Sequence, residues 1–360
     1  MKKIVFCGGH HNSALLVAEA LKNKGYEIYW FGHKFSMIED KNPSAEFIEV
    51  TKKGIPFIEI NAGKIQPNYK FFQYLLRIPV GFWQSFFSLL KIKPDLIVSF
   101  GGYLALPVAY CGFFMGIPVV THEQTVVSGL ANKLISFIAQ KIFITFESSA
   151  KYFPKNKVVL SGLPLREDIF LDKKNLFNNK RKTIYVTGGK QGSHVINEEI
   201  FKILPSLLDR FNVIHACGST SVFDDIKKAE DIKEKLKEKG DYYLVKKYFF
   251  EDEIGAVFNS ADFVISRSGA HTVYELLFLN KPAILIPIPW TNNNEQYKNA
   301  KMLENCGLAK ILSQEELKKG KLLKTILEFE KKLDFYKRKK INCKLKSTKI
   351  IVDEIEKILH

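Results

Sequence analysis

Short runs rich in β-branched and aromatic residues alternate with stretches of helical periodicity along nearly the whole chain. That alternation restricts the fold to doubly wound parallel sheets. In the first half the strand-like runs are Lys3–Cys7, Glu27–Trp30, Leu96–Phe100, Pro118–Thr121, Lys141–Thr145 and Val158–Ser161. In the second half they are Thr183–Thr187, Phe211–Ala216, Tyr242–Val245, Asp262–Ser266 and Ala283–Ile286. A chain of 360 residues with 46% apolar content is long for one core and fits two α/β domains, each of roughly 150 to 180 residues. Residues 166–182 are polar and lack apolar periodicity, so the linker is placed there. The expected organisation is two Rossmann-like domains facing a cleft, 1–165 and 166–335, with a C-terminal helix within 336–360. That helix carries Ile350, Ile351, Ile355 and Leu359 at helical spacing and needs a surface to pack on, the N-terminal domain being the candidate.

The net charge of +16 calls for an anionic partner or a lysine-rich solvated surface. The lysines are dispersed and no nucleic-acid-binding signature accompanies them, so nucleic acid is not expected as a partner. Anionic lipid and phosphorylated substrates fit as well. Five cysteines, Cys7, Cys111, Cys217, Cys306 and Cys343, are far apart, in no metal-ligand spacing, and read as reduced thiols. No apolar run has the length to span a bilayer, and Met1-Lys2-Lys3-Ile4-Val5-Phe6 passes straight into a strand. A cytosolic or peripheral protein is expected.

Chemistry concentrates where strands end. The strand Asp262–Ile265 runs into Ser266-Arg267-Ser268-Gly269-Ala270 and then a helix carrying Thr272 and Glu275. Small residues there let a ligand approach the backbone, and the first helix amides are unpaired donors at the positive end of the dipole. Glu275, a turn further on, could accept two neighbouring hydroxyls. The alternative is an ordinary strand-to-helix connection capped by Ser268 or Thr272. Each half also has a glycine loop after its first strand, Gly8-Gly9-His10-His11 and Gly188-Gly189-Lys190-Gln191-Gly192. Neither is a full dinucleotide fingerprint, which weakens a dehydrogenase reading. Strand carboxyl ends face the crevice of a doubly wound sheet, so all three turns belong on cleft-lining edges.

The segment from Lys70 to Lys91 is apolar, aromatic and basic at both ends. Phe72, Leu76, Arg77, Phe82, Trp83 and Phe86 are read as contacts to an anionic membrane surface, shared with a role in covering the first sheet.

Several of these elements occur together in one order. Gly8-Gly9-His10, Gly101-Gly102-Tyr103, His122-Glu123-Gln124, Gly162-Leu163-Pro164-Leu165-Arg166, the loop Gly188 to Gly192, the turn Ser266 to Glu275, and Glu295-Gln296-Tyr297-Lys298-Asn299-Ala300 span residues 3–312. The set resembles the MurG-type family of UDP-N-acetylglucosamine:undecaprenyl-diphospho-muramoyl-peptide N-acetylglucosaminyltransferases, which have the GT-B fold. The resemblance implies an inverting, metal-independent glycosyltransferase without cofactor. It would move N-acetylglucosamine from UDP-GlcNAc to the C4 hydroxyl of undecaprenyl-diphospho-muramoyl peptide, in peptidoglycan synthesis, peripherally at the cytoplasmic face of the cell membrane.

Carried over by position, the donor site would comprise Arg166, Lys190, Gln191, Gly192, Phe250, Ser268, Gly269, Ala270, Thr272, Glu275, Glu295 and Gln296. The acceptor site would comprise Gly8, Gly9, His11, Gly102, Tyr103, Gln124 and Thr125. His10 is the candidate general base beside Glu123, and His11 is the alternative, since one residue of register exchanges the two histidines. Such a transfer needs a base and a cradle for the leaving diphosphate. No Asp-x-Asp metal motif is present, and Asp224-Asp225 and Glu251-Asp252-Glu253 read as solvated surface acids. The chain departs from the family at its first loop, where Phe6-Cys7-Gly8-Gly9-His10 stands for Gly-Gly-Thr-Gly-Gly-His. It also has Thr125 and Leu163 in place of asparagines and Lys190 in place of serine, so the donor half matches better than the acceptor half. The rival readings are another nucleotide-sugar enzyme of this fold (a different lipid acceptor, or a UDP-sugar hydrolase or epimerase) and a non-catalytic UDP-sugar-binding membrane-associated protein.

Overall fold

The computed structural model describes residues 1–35, 43–63, 71–165, 174–220, 222–339, 341 and 346–360, with the backbone alone at 71–76, 251–252 and 292. The chain forms two compact units, Met1–Leu165 with Leu345–His360, and Arg166–Lys344.

In the first unit β1 (Lys3–Cys7), α1 (His11–Asn23), β2 (Glu27–Gly32), α2 (Ala45–Lys52), β3 (Phe57–Glu59) and α3 (Phe71–Ile92) follow in turn. They lead into β4 (Leu96–Ser99), α4 (Ala105–Phe114), β5 (Val119–Glu123), α5 (Leu130–Ile138), β6 (Lys141–Ile144) and β7 (Val158–Leu160). Among the described residues these strands make one parallel sheet in the order β3-β2-β1-β4-β5-β6-β7.

The second unit runs β8 (Thr183–Thr187), α6 (His194–Leu208), β9 (Asn212–Ala216), α7 (Asp225–Lys235), β10 (Tyr243–Lys246), α8 (Glu251–Ser260) and β11 (Phe263–Ser266). It continues with α9 (Ala270–Phe278), β12 (Ala283–Leu285), α10 (Glu295–Asn305), β13 (Ala309–Ile311), α11 (Gln314–Lys318), α12 (Leu322–Lys331) and α13 (Leu333–Lys337). Its sheet is parallel in the order β10-β9-β8-β11-β12-β13.

Every residue of β4, β5, β8, β9 and β11 is buried, as expected of strands covered by helices on both faces. Those are the strands that apolar runs announce. Two edge strands, β3 and β13, are not among the strands that the sequence predicts, because a charged residue, Glu59 or Lys310, breaks each three-residue run. None of Phe57, Ile58 and Glu59 is fully buried, so no apolar run marks them. The segment broken by Pro79 and Gly81 is one continuous helix, α3. Gly81 matters for packing: a Cβ there would lie 2.9 Å from the Ala62 Cα, so glycine lets α3 close on the loop after β3.

The last helix, α14 (Ser347–Leu359), returns to the first unit and packs on α1. Ile351, Val352, Ile355 and Leu359 join the core formed by Ala14, Leu15, Val17 and Leu21. Burial of each such side chain contributes roughly 1.5–3 kcal/mol as an upper figure. Lys2 Nζ donates to the Leu359 carbonyl at 2.6 Å, and Lys24 pairs with Glu356 at 2.6 Å.

Two imidazoles are sealed into the sheets. His215 accepts from the Tyr243 hydroxyl at 2.9 Å and donates to Asn197 Oδ1 at 3.0 Å, and burial drags its pKa to about 3. His122 contacts the Gly162 carbonyl at 3.0 Å and stacks on Phe100, and burial, opposed by that hydrogen bond, lowers its pKa to about 4. Both are neutral when folded, whereas unfolded histidine titrates near 6.5. The unfolded chain therefore binds more protons between these values, and stability present above about pH 6.5 is lost progressively toward pH 4. Urea midpoints should fall over that window, and His215→Gln should flatten the fall; an unchanged slope in the variant would contradict the assignment.

Candidate functional site

Strand order reverses direction between β1 and β4 in the first sheet and between β8 and β11 in the second. Loops leaving the carboxyl ends of such a pair diverge to opposite faces and open a ligand crevice. In the second unit Thr187 pairs in register with Ser266, and Ser266 with Leu285, so the turns after β8, β11 and β12 begin side by side.

The loop after β8 is folded on glycine. A Cβ at Gly188 would stand 2.2 Å from the Ser193 amide nitrogen, and one at Gly192, whose φ is +81°, would stand 2.0 Å from the Cys217 carbonyl. Gly189 donates to Thr187 Oγ1 at 3.1 Å and Gly192 donates to the Gly189 carbonyl at 2.9 Å. The Lys190 carbonyl accepts the Ser219 amide at 3.1 Å, while the side chains of Lys190 and Gln191 are exposed. The loop after β11 places Gly269 at the N-cap of α9, with no side-chain cap. Ala270 and Thr272 are in the first turn, whose amides point at whatever sits before the helix.

Arg267 locks these loops together. It is 8% exposed, yet its guanidinium donates to Ser193 Oγ at 3.0 Å, the Ile286 carbonyl at 3.1 Å and Gln314 Oε1 at 2.8 Å. Burial lowers its pKa to about 10, which leaves it cationic at neutrality. Nothing in the local sequence marks Arg267 beyond its place in the turn motif. Its buried bonding makes it the scaffold of these loops.

The Ser268 hydroxyl donates to the Gln296 carbonyl at 2.8 Å, and Asn299 Nδ2 donates to the Ser268 carbonyl at 3.2 Å, so α10 is fastened to the β11 turn. Gln296 Oε1 accepts the Ile288 amide at 3.1 Å, which leaves its NH2 as a donor, and Glu295 stands beside it at the start of α10. Glu275 Oε1 is 3.1 Å from His271 Nε2 one turn back on α9, leaving the second carboxylate oxygen as an acceptor. Phe250 is exposed beyond edge strand β10 and meets Tyr248 edge-on at 4.8 Å. Arg166 lies outside the described residues.

The first unit repeats the device. Gly8 has φ +127°, and a Cβ there would lie 2.6 Å from the Gly101 carbonyl oxygen. Gly9 donates to that carbonyl at 3.1 Å, and Gly102 backs onto the Gly9 nitrogen, so the loops after β1 and β4 are packed backbone to backbone. His10 is the N-cap residue of α1. His11 Nε2 lies 3.2 Å from Glu49 Oε2 on α2. Tyr103 meets His33 at 5.4 Å between ring centroids.

Glu123 is buried and saturated. Oε1 accepts the Thr125 amide at 3.0 Å and the Thr125 hydroxyl at 2.9 Å, while Oε2 accepts the Gly129 amide at 3.1 Å and Asn132 Nδ2 at 3.0 Å. Burial pushes its pKa up against the pull of those four bonds. The carboxylate thus holds the shape of the loop through Gly129, with Gln124 and Thr125 buried beside it.

Helices α3, α4 and α5 lie side by side on this unit, joined by Cys111 Sγ to the Phe82 carbonyl at 3.4 Å and the Tyr110 hydroxyl to the Leu134 carbonyl at 3.1 Å. Trp83 is 69% exposed, with Phe82 and Phe86 also exposed. Phe114 on α4 is 80% exposed and Phe137 on α5 is 72% exposed, which widens the apolar face beyond α3. Lys157 Nζ donates to the Phe137 carbonyl at 3.0 Å, which sets a cation at the patch edge. Side chains of Phe72 and Leu76 are outside the described residues; Arg77 is half-buried. Among the described residues no helix is long and apolar enough to cross a membrane.

One expectation is corrected. Asp225 is not a solvated acid: it is 2% exposed and bonded to His194 and Asn197.

Gly269 has φ −61°, which any residue adopts, and nothing lies within 4 Å of a Cβ added there. Glycine is a favoured N-cap residue, and the open space beside it leaves room for a ligand. Gly269→Ala should cost about 1 kcal/mol or less of stability, yet weaken UDP binding about tenfold by calorimetry. Unchanged affinity would remove the turn from the site.

The glycosyltransferase family 28 N-terminal domain matches residues 7–144 and the glycosyltransferase family 28 C-terminal domain matches residues 183–355. A Bacillus cereus protein named UDP-N-acetylglucosamine--N-acetylmuramyl-(pentapeptide) pyrophosphoryl-undecaprenol N-acetylglucosamine transferase 2 is 32% identical over 359 residues, 96% of this chain and 96% of that one. A Clostridium perfringens transferase of the same name, without the numeral, is 34% identical over 377 residues, 99% of each. The crystal structure of Acinetobacter baumannii MurG superposes with a TM-score of 0.73 at 24% identity, covering 99% of this chain and 100% of that one, and supports the GT-B fold. The chain belongs to glycosyltransferase family 28, among its MurG-type N-acetylglucosaminyltransferases.

Proposed function

We propose that this enzyme transfers N-acetylglucosamine from UDP-GlcNAc to undecaprenyl-diphospho-muramoyl peptide at a membrane surface. The observation that carries the donor side is the paired turns at Thr187 and Ser266, braced by a buried arginine and edged by a glycine with open space around it. The diphosphate fits the helix amides from Ala270 and the loop Gly188 to Gly192, where fixed dipoles stabilise the charge that develops on the leaving group. Glu275 accepts the ribose hydroxyls through its second oxygen, and the Gln296 amide with Glu295 meets the sugar. The uracil is assigned to the exposed Phe250 ring.

On the acceptor side His10 removes the proton of the attacking hydroxyl. His11, whose Nε2 meets Glu49 Oε2, is the alternative base. Gly8, Gly9, Gly102 and Tyr103 frame the approach, while Glu123 positions the neighbouring loop with Gln124 and Thr125. The exposed aromatics of α3, α4 and α5, with Lys157 at their edge, suit a headgroup region that holds a polyprenyl-linked acceptor.

Transfer of labelled N-acetylglucosamine to a lipid-diphospho-muramoyl acceptor tests the reading. Wild type should make the disaccharide lipid, and His10→Ala should lower kcat by about 10²–10⁴ with the donor KM little changed. Glu275→Ala should instead raise the donor KM about tenfold. Normal donor binding without disaccharide product would defeat the proposal, and hydrolysis alone would favour a different nucleotide-sugar enzyme. Phe82→Asp with Trp83→Asp should release the protein from anionic vesicles in a sedimentation assay; equal sedimentation would remove the membrane claim.

A further inference from the structure

We propose that His194, Glu198 and Asp225 form a binding site for a divalent transition-metal ion of the zinc class, clamping α6 to α7 in the second unit. His194 and Glu198 are four residues apart on one face of α6, and Asp225 opens α7. One ligand atom from each lies within 4.8 Å of the others. Zinc binds such atoms at about 2.0–2.2 Å, so small side-chain rotations close the set around an ion.

Two observations separate this group from a chance meeting of polar side chains. Asp225 is a buried carboxylate with no lysine or arginine in ion-pair range among the described residues; its partners are His194 Nδ1 at 2.7 Å and Asn197 Nδ2 at 2.7 Å. A buried carboxylate is costly without a cation beside it. The ligands also have built outer support. Asn197 holds Asp225 Oδ2 and is itself fixed by His215 and by the Cys217 carbonyl at 2.8 Å, while Phe223 lies flat on the His194 ring at 3.8 Å and 8°. Such outer contacts orient metal ligands.

The present partner of Glu198 is Lys228, 2.6 Å away, whose side chain is 48% exposed and can swing into solvent when an ion arrives. One imidazole and two carboxylates leave a fourth position to water and suit zinc better than magnesium, which prefers oxygen alone. The ion carries no step of the sugar transfer. Its effect is mechanical: α6 begins directly after the Gly188 to Gly192 loop, so joining α6 to α7 stiffens the base of that loop. The proposal stands independently of the assigned substrates.

Titration of the full-length protein with zinc chloride, followed by calorimetry and by thermal shift, tests it. Wild type should bind one equivalent and gain several degrees in Tm, with magnesium chloride giving neither effect. His194→Ala and Glu198→Gln should each weaken zinc binding about tenfold or more while keeping a cooperative thermal transition without zinc, which shows that they fold. Zinc binding that is absent from wild type, or equally tight in both variants and therefore located at other histidines or cysteines, overturns the site.

Discussion

The parallel pairing of β8 with β11, Thr187 beside Ser266, is the constraint on which the second unit's crevice depends. A doubly wound sheet must reverse somewhere, and at that point two chains leave adjacent strand ends for opposite faces. The crevice follows from connectivity before any side chain is considered. The same reversal occurs at β1 and β4, where glycine backbones of the two departing loops touch. One device carries different groups in the two units: the N-terminal amides of α9 in one, an N-cap histidine in the other.

A crevice alone is not a site, because loops at strand ends are the part of such a fold free to drift. Here each unit spends a buried polar group on holding them. Arg267 links the turns after β8, β11 and β12 through hydrogen bonds donated from a desolvated guanidinium. Truncating one partner of such a charged bond leaves the others unsatisfied, at about 1–3 kcal/mol each. Glu123 is its counterpart in the first unit, with four donors on two oxygens. Both groups shape backbone that others use.

The central strands and the motif turns were legible in the sequence because strands buried on both faces must be apolar throughout, and a close approach between backbones demands glycine at Gly8 and Gly192. The edge strands β3 and β13 were not, because a charged residue, Glu59 or Lys310, interrupts each short run. Asp225 misled because an Asp-Asp pair before a lysine-rich helix reads as surface, whereas its burial depends on His194 and Asn197 from another helix. The roles of Arg267 and Glu123 were hidden for a related reason: hydrogen bonds to distant carbonyls and amides leave no local trace in composition or period. The wider apolar face was half visible, since α3 declares itself by its aromatics while Phe114 and Phe137 become notable only once their helices are seen to lie against it.

Hydrogen exchange of backbone amides, with and without UDP-GlcNAc, tests most directly whether the reversal at Thr187 and Ser266 is the nucleotide-sugar site. Exchange should slow in residues 188–193 and 268–273, the two segments leaving the paired strands, while the distant end of the sheet around Asp262 stays unchanged. Protection confined to other segments, with both of these turns unaffected, would contradict the account.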